Sequence, residues 1–228
     1  MKLPIITVLT ALLAGCASQG DPRDPLEPMN RAVYRFNEYA DKTVIKPMAE
    51  AWKENLPKPV QTGVRNFFSN LDDVVVFGND LLQFKPEHAT QDFLRVTFNT
   101  TFGIAGVLDV ASEMGLPKHK EDFGQTLGAW GLSDGPYLVL PLIGPSSLRD
   151  ATGRFVDINT MNPIYTLDDM GTRNQVIALD ALNRRVELLG AKDTLDAAAL
   201  DPYEFTRDFY LDRRANLIRD GRPAPREE

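Results

Sequence analysis

Apolar positions fall at helical intervals over most of this chain. Met29, Val33, Phe36 and Ala40 recur at three- and four-residue steps, which predicts a helix over that stretch, and Pro47 is expected to break or kink it. Pro57 and Pro59 open a second long segment with Val60, Val64, Phe67, Leu71 and Val74 on its apolar face, closed at Lys85-Pro86. A third helix is predicted from Glu87 to Ala111. Thr172 to Leu189 has the cleanest periodicity, with Thr172-Arg173-Asn174-Gln175 as a capping box and Gly190 placed to end it. The last helix is predicted from Asp201 to Arg219, with Asp201 as N-cap, Pro202 in the first turn and Glu204 completing the box. Strand signal is confined to Tyr137-Leu138-Val139-Leu140, bounded by prolines, enough for a short hairpin arm at most. There is no repeat and no low-complexity segment. The pattern predicts an all-α single domain.

One stretch departs from ordinary amphipathicity. Val96 to Leu108 (VTFNTTFGIAGVL) carries no charge and is apolar on more than one face. A buried core helix is one reading. The other follows from length: thirteen helical residues reach about 20 Å, too short for a hydrocarbon core of ~30 Å but enough for one leaflet. Asn99, Thr100 and Thr101 would then face protein or a wet cavity rather than lipid tails. Gly103 and Gly106 would permit close helix contact.

The N-terminus bears on the same question. Lys2 precedes an uncharged apolar run, Leu3 to Ala14, that suits a signal-peptide core. Leu13-Ala14-Gly15-Cys16 resembles the lipobox of bacterial lipoproteins, so residues 1–15 are expected to be removed and Cys16 to carry the lipid. Cys16 is the sole cysteine, which leaves no disulfide. Several acyl chains give durable attachment where one is marginal, and Ala17, rather than Asp, after the cysteine points to the outer membrane. Residues 16–28, punctuated by Pro22, Pro25 and Pro28, read as a lipidated tether, 29–220 as the helical domain and 221–228 as a frayed tail.

Composition narrows the partners. With 25 basic and 32 acidic residues among 228 the chain is net negative, which argues against nucleic acid and against a polybasic grip on anionic lipid. Further membrane contact has to come through apolar surface. Catalytic chemistry is sparse. Gly131-Leu132-Ser133-Asp134-Gly135 matches the G-x-S-x-G elbow of esterases, but the flanks do not suit a strand before it and a helix after it. Both histidines, His88 and His119, precede the serine, against the hydrolase order. The motif reads as a glycine-rich turn. His119, between two lysines, reads as part of a solvated turn, and Asp72-Asp73 and Asp168-Asp169 as solvated or capping pairs. No zinc-ligand spacing or phosphate-binding loop is present, so no metal, cofactor or enzymatic activity is expected.

A series of motifs in fixed order remains. Asp24-Pro25-Leu26-Glu27 with Asn30-Arg31 opens it. Phe123-Gly124-Gln125-Thr126-Leu127-Gly128, Gly135-Pro136-Tyr137, Leu140-Pro141 and Leu148-Arg149-Asp150 follow. Asp201-Pro202-Tyr203 with Arg207 and Tyr210 closes it. The series resembles the MlaA family, also called VacJ lipoproteins, over nearly the whole chain. A local departure is Pro28-Met29, where Gly-Phe is familiar. The resemblance implies an outer-membrane lipoprotein of Gram-negative bacteria, a ring-shaped helical domain in the inner leaflet with an amphipathic channel. It implies removal of phospholipids from the outer leaflet and their transfer to a soluble periplasmic carrier, in association with trimeric porins. On that reading Asn99, Thr100 and Thr101 are candidate channel-lining residues, and Phe36 and Asn37 candidate gating residues. A scaffold that only organises porins and a phospholipase using Ser133 are the competing classes.

Overall fold

A computed structural model of the chain describes residues 21–223. Cys16, the expected signal peptide and the end of the tail lie outside the described residues. The chain runs through α1 (Glu27–Ala40), a π-helical turn (Asp41–Ile45), α2 (Lys46–Asn55), α3 (Lys58–Leu82), α4 (Pro86–Thr101), α5 (Val110–Glu113) and α6 (Phe123–Ala129). A hairpin of β1 (Tyr137–Leu140) and β2 (Gly144–Ser147) follows, then α7 (Leu148–Thr160), a 3₁₀ turn (Pro163–Thr166), α8 (Met170–Ala198) and α9 (Pro202–Ile218). The fold is all-α with one two-stranded antiparallel hairpin, in which Tyr137 pairs with Ser147 and Leu140 with Gly144.

Proline and cap chemistry set most helix starts. Pro28, Pro47, Pro59, Pro86 and Pro202 all stand in first turns, where a missing N–H costs nothing. Asp109, Asp122, Ser147 and Asp201 each accept a backbone N–H from the helix they open. Pro47 does not break the chain's first helix as expected. Its ring would clash with the carbonyl of Thr43 in a regular α-helix, and Thr43 lies in the π turn, whose wider winding lets α1 run into α2.

Other expectations need correction. Residues 21–28 belong to the domain rather than the tether: Asp24 is fully buried and α1 begins at Glu27. The third helix does not reach Ala111 but stops at Thr101, and an eight-residue loop separates it from α5. Asp169, not Thr172, caps α8, accepting the Thr172 N–H at 2.6 Å. The helix passes through Gly190 to Ala198. Glu204 completes no capping box; its carboxylate takes Arg31 at 2.9 Å.

Successive packing contacts close a circuit. α1 lies on β1, β1 pairs with β2, and β2 packs on α9. α9 meets α6, α6 meets α3, and α3 meets α8. α8 covers α2, which returns through the π turn to α1. α4 folds back on α3 in the most extensive helix pairing of the structure. The apolar core is small: Tyr137, Val139, Tyr203 and Leu211, with Val33, Tyr34 and Tyr210 packed around them.

Candidate functional site: a polar spine beneath an apolar lip

In a soluble domain the interior is apolar and large apolar side chains at the surface are scattered. Here, among the described residues, polar and charged side chains outnumber apolar ones in the interior, and large apolar side chains crowd the surface. The buried polar groups form a connected spine. Asn30 donates to Asp24 at 2.8 Å and to the Tyr137 carbonyl at 2.9 Å, and accepts the Val139 N–H at 2.9 Å. The Tyr203 hydroxyl donates to Asp24, and Arg31 lies over the Tyr203 ring at 4.3 Å. Further along α9, Arg214 bridges Asp122 and Asp150. Tyr210 donates to Asp150 at 2.6 Å. Burial would raise the Asp122 carboxyl, but Arg214 outweighs it and holds the group below its ordinary range. Thr126 donates to Asn79 at 2.8 Å. These are largely the motif residues of the sequence, and they tie the N-terminal segment, the hairpin and the last helix together.

A second cluster lies under the uncharged run. Arg95, 1% exposed, is paired with Asp73 and Asp109 and donates to the Leu116 carbonyl at 2.8 Å. Lys118 also pairs with Asp73. Asp73 is therefore a fully buried counter-ion, not the solvated residue expected, whereas its neighbour Asp72 takes Arg184 at the surface. Asn99 is 3% exposed; its amide donates to Asp109 at 3.1 Å and its oxygen accepts the Ala111 N–H at 2.8 Å. It clamps α4 to α5 and offers no surface to a passing lipid, which removes it from the channel-lining candidates. Thr100 and Thr101 are exposed, and the Thr100 hydroxyl accepts from Asn70 at 3.0 Å.

Above this platform, residues 102–108 form a tight lip. Ile104 and Ala105 both adopt left-handed backbone, with φ of 55° and 54°, a conformation that disfavours side chains with a Cβ. Phe102, Ile104 and Leu108 are at least half exposed. Gly106, at φ 92°, makes the expected close approach, but in a turn: a Cβ there would stand 2.6 Å from Asn70 Cβ. The lip satisfies much of its own backbone. Ala105, Gly106 and Leu108 donate to the carbonyls of Thr100, Asn99 and Gly103, and the Val107 carbonyl accepts from Asn66. Apolar side chains over internally bonded backbone are what a hydrocarbon environment requires. Phe84 and Leu142 repeat the theme, left-handed and 87% and 63% exposed. No helix among the described residues is long and apolar enough to cross a membrane.

The gating candidates sit at the hairpin. Asn37 donates to the Leu140 carbonyl at 2.9 Å and accepts the Leu142 N–H at 2.7 Å, holding the hairpin turn onto α1. Phe36 is exposed. Ser133 lies in an exposed turn between Gly131 and Gly135, both at positive φ. A helix precedes it and a strand follows, the reverse of a nucleophile elbow. His119 is not in a solvated turn: its Nδ1 is 2.9 Å from Asp92 and its ring stacks on His88. Both histidines are thus engaged on the α3–α4 hairpin, away from any hydrogen bond with the serine.

A helical protein with a charged interior, a small aromatic core and strained apolar loops at its surface belongs to the class of proteins that work against lipid. The sequence pattern of the MlaA lipoprotein family matches residues 22–217. The chain belongs to that family. It is 34% identical to the intermembrane phospholipid transport system lipoproteins MlaA of Shigella flexneri and of Escherichia coli K12, over 100% of this chain and 92% of each relative. It also superposes, with TM-score 0.76 and 31% identity over 86% of this chain and 98% of the other, on a structure solved in work on maintenance of bacterial outer membrane lipid asymmetry.

Proposed function

We propose that this chain, anchored through Cys16 at the periplasmic face of the outer membrane, sits in the inner leaflet and removes phospholipids that have strayed into the outer leaflet. The lipid passes through an amphipathic channel to a soluble periplasmic carrier, beside trimeric porins. The observation that carries this reading is the inverted distribution of polarity: ion pairs and amides inside, Phe102, Ile104, Leu108, Phe84 and Leu142 outside. The closed circuit of helix contacts supports a ring. A phospholipid headgroup is costly to drag through hydrocarbon, and a ring with a polar lumen and an apolar rim lowers that cost without any bond being broken. Ser133 accordingly has no catalytic part. Thr100 and Thr101 are the lining positions this reading retains from the uncharged run. Phe36 and Asn37, where α1 holds the hairpin, are the gate; the adjoining π turn is the kind of irregularity that recurs at functional sites.

Single cysteines test the placement, with lipidated Cys16 kept. In native outer-membrane vesicles a water-soluble thiol reagent should label Thr101→Cys and leave Phe102→Cys and Ile104→Cys untouched. Free labelling of all three would place the lip in water and defeat the proposal.

A further inference from the structure

Where α3 meets α4, three side chains capable of binding metal converge from three segments, with a fourth, His88, alongside. Asp80 comes from the last turns of α3, His88 and Asp92 from the beginning of α4, and His119 from the loop between α5 and α6. Asp80 and Asp92 are fully buried. One ligand atom from each of Asp80, Asp92 and His119 lies within 4.8 Å of the other two. His119 Nδ1 is 2.9 Å from Asp92 Oδ2, and His88 Nδ1 is 3.8 Å from Asp80 Oδ1. The two imidazoles stack with centroids 4.1 Å apart.

The hydrogen-bond inventory of this cluster does not close. Both oxygens of Asp80, Asp92 Oδ1 and His88 Nδ1 are sealed from solvent without a partner. Two facing buried carboxylates cannot both stay ionised without a countercharge. The neighbouring ammonium, Lys85, is committed to Glu121 and Asp220. With both carboxylates fully buried and no free cation beside them among the described residues, something positive, a proton or a cation, has to reside there.

We propose that Asp80, Asp92 and His119, with His88 as a fourth donor, bind one divalent cation of the zinc class. Tetrahedral zinc holds nitrogen and oxygen ligands at about 2.0–2.2 Å, which sets neighbouring ligand atoms roughly 3.3 Å apart; the observed 2.9 and 3.8 Å bracket that spacing. Two imidazoles with two carboxylates suit zinc, whereas calcium takes 6–8 oxygens and magnesium prefers an octahedron of oxygen and water. The ion is structural: it fastens the loop carrying Lys118 and His119 to the α3–α4 hairpin, beside the platform of the lip. The competing arrangement is a single proton shared between the facing Asp80 and Asp92 carboxylates.

The test uses the mature, lipidated full-length protein in detergent, stripped with a chelator and titrated with Zn²⁺ and with Co²⁺. One equivalent of Zn²⁺ should bind, Co²⁺ should give the visible bands of a four-coordinate site, and the melting temperature should rise with metal. Even losing a residue that only hydrogen-bonds a metal ligand costs about 10–100-fold in affinity, so Asp92→Asn and His119→Gln should each lose at least about 100-fold, and the exposed Glu113→Gln should lose nothing. The wild type gives a readout needing no substitution: its two histidines should both shift their ring NMR signals on adding Zn²⁺. Ring signals indifferent to metal, or undiminished binding in His119→Gln, would overturn the site in favour of the shared proton.

Discussion

Replacing Asn99 by Ala separates a structural clamp from a channel wall. The substitution removes a hydrogen bond to the charged Asp109 and leaves the Ala111 N–H, in a residue with 0% exposure, without an acceptor. A bond to a charged group contributes about 1.5–3 kcal/mol, and an orphaned buried donor costs about 1–3 kcal/mol. The two overlap, because Asp109 keeps Arg95 and Ser112, so the expected destabilisation is about 3 kcal/mol. For a domain of this size that lowers the melting temperature by roughly 6–12 °C. The assay is thermal unfolding of the purified lipoprotein in detergent, followed by far-UV circular dichroism, together with its steady-state abundance in cells. Thr101→Ala, exposed and free of such partners, is the control and should change stability by less than about 0.5 kcal/mol. Full stability of Asn99→Ala together with altered outer-leaflet lipid would refute the clamp and return Asn99 to the lumen.

Gly106→Ala should destabilise the protein by at least about 2 kcal/mol, since it combines left-handed strain with a clash against Asn70. Ala105→Gly at φ 54° should act oppositely, by about 1 kcal/mol; both are read by thermal unfolding, and equal signs would contradict the lip's backbone geometry. Ile104→Arg should cost ~2.5–3.5 kcal/mol of membrane insertion if the lip lies at mid-hydrocarbon depth, visible as reduced membrane yield; normal yield would place the lip outside the bilayer. In chelator, stability should fall as pH rises from about 4 to 8. The folded state then holds a proton on Asp80 that the unfolded chain has already released. Asp92, Glu121, Lys85, His88 and His119 face that group. Asp80→Asn should flatten the slope measured by urea unfolding between those pH values, and an unchanged slope would assign it elsewhere.

Features encoded within a few residues were legible in the sequence. Pro59 and Pro202 in first turns, Asp201 as a cap and the Tyr137–Leu140 arm all act locally, and all stand where the pattern put them. The uncharged run was legible as an anomaly but not as a shape. Gly103 and Gly106 read equally well as helix-packing residues or as turn residues, and nothing local announces two non-glycine residues in left-handed backbone at 104 and 105. Asn99 looked like a polar face of a helix because the partners that bury it, Asp109 and Ala111, become its neighbours only after that turn. Polar residues in this chain are also interior residues, so a rule that holds for soluble domains reads Asp73 as solvated or capping, and proline punctuation puts the buried Asp24 in a tether. His88 and Asp92, four apart on one helix, carry half of the proposed metal set. The other half arrives from residues 80 and 119 by tertiary packing alone, beyond the reach of any spacing rule.

The central claim is that this chain moves phospholipid without chemistry. The direct measurement reconstitutes the lipidated protein, with and without a trimeric porin, into vesicles whose labelled phospholipid starts in the outer leaflet, and follows leaflet distribution and free fatty acid together. Redistribution of intact lipid toward an added periplasmic carrier, with no fatty acid released and with Ser133→Ala behaving as wild type, is the predicted result. Fatty-acid release that Ser133→Ala abolishes, or no redistribution at all in the presence of carrier, would contradict it.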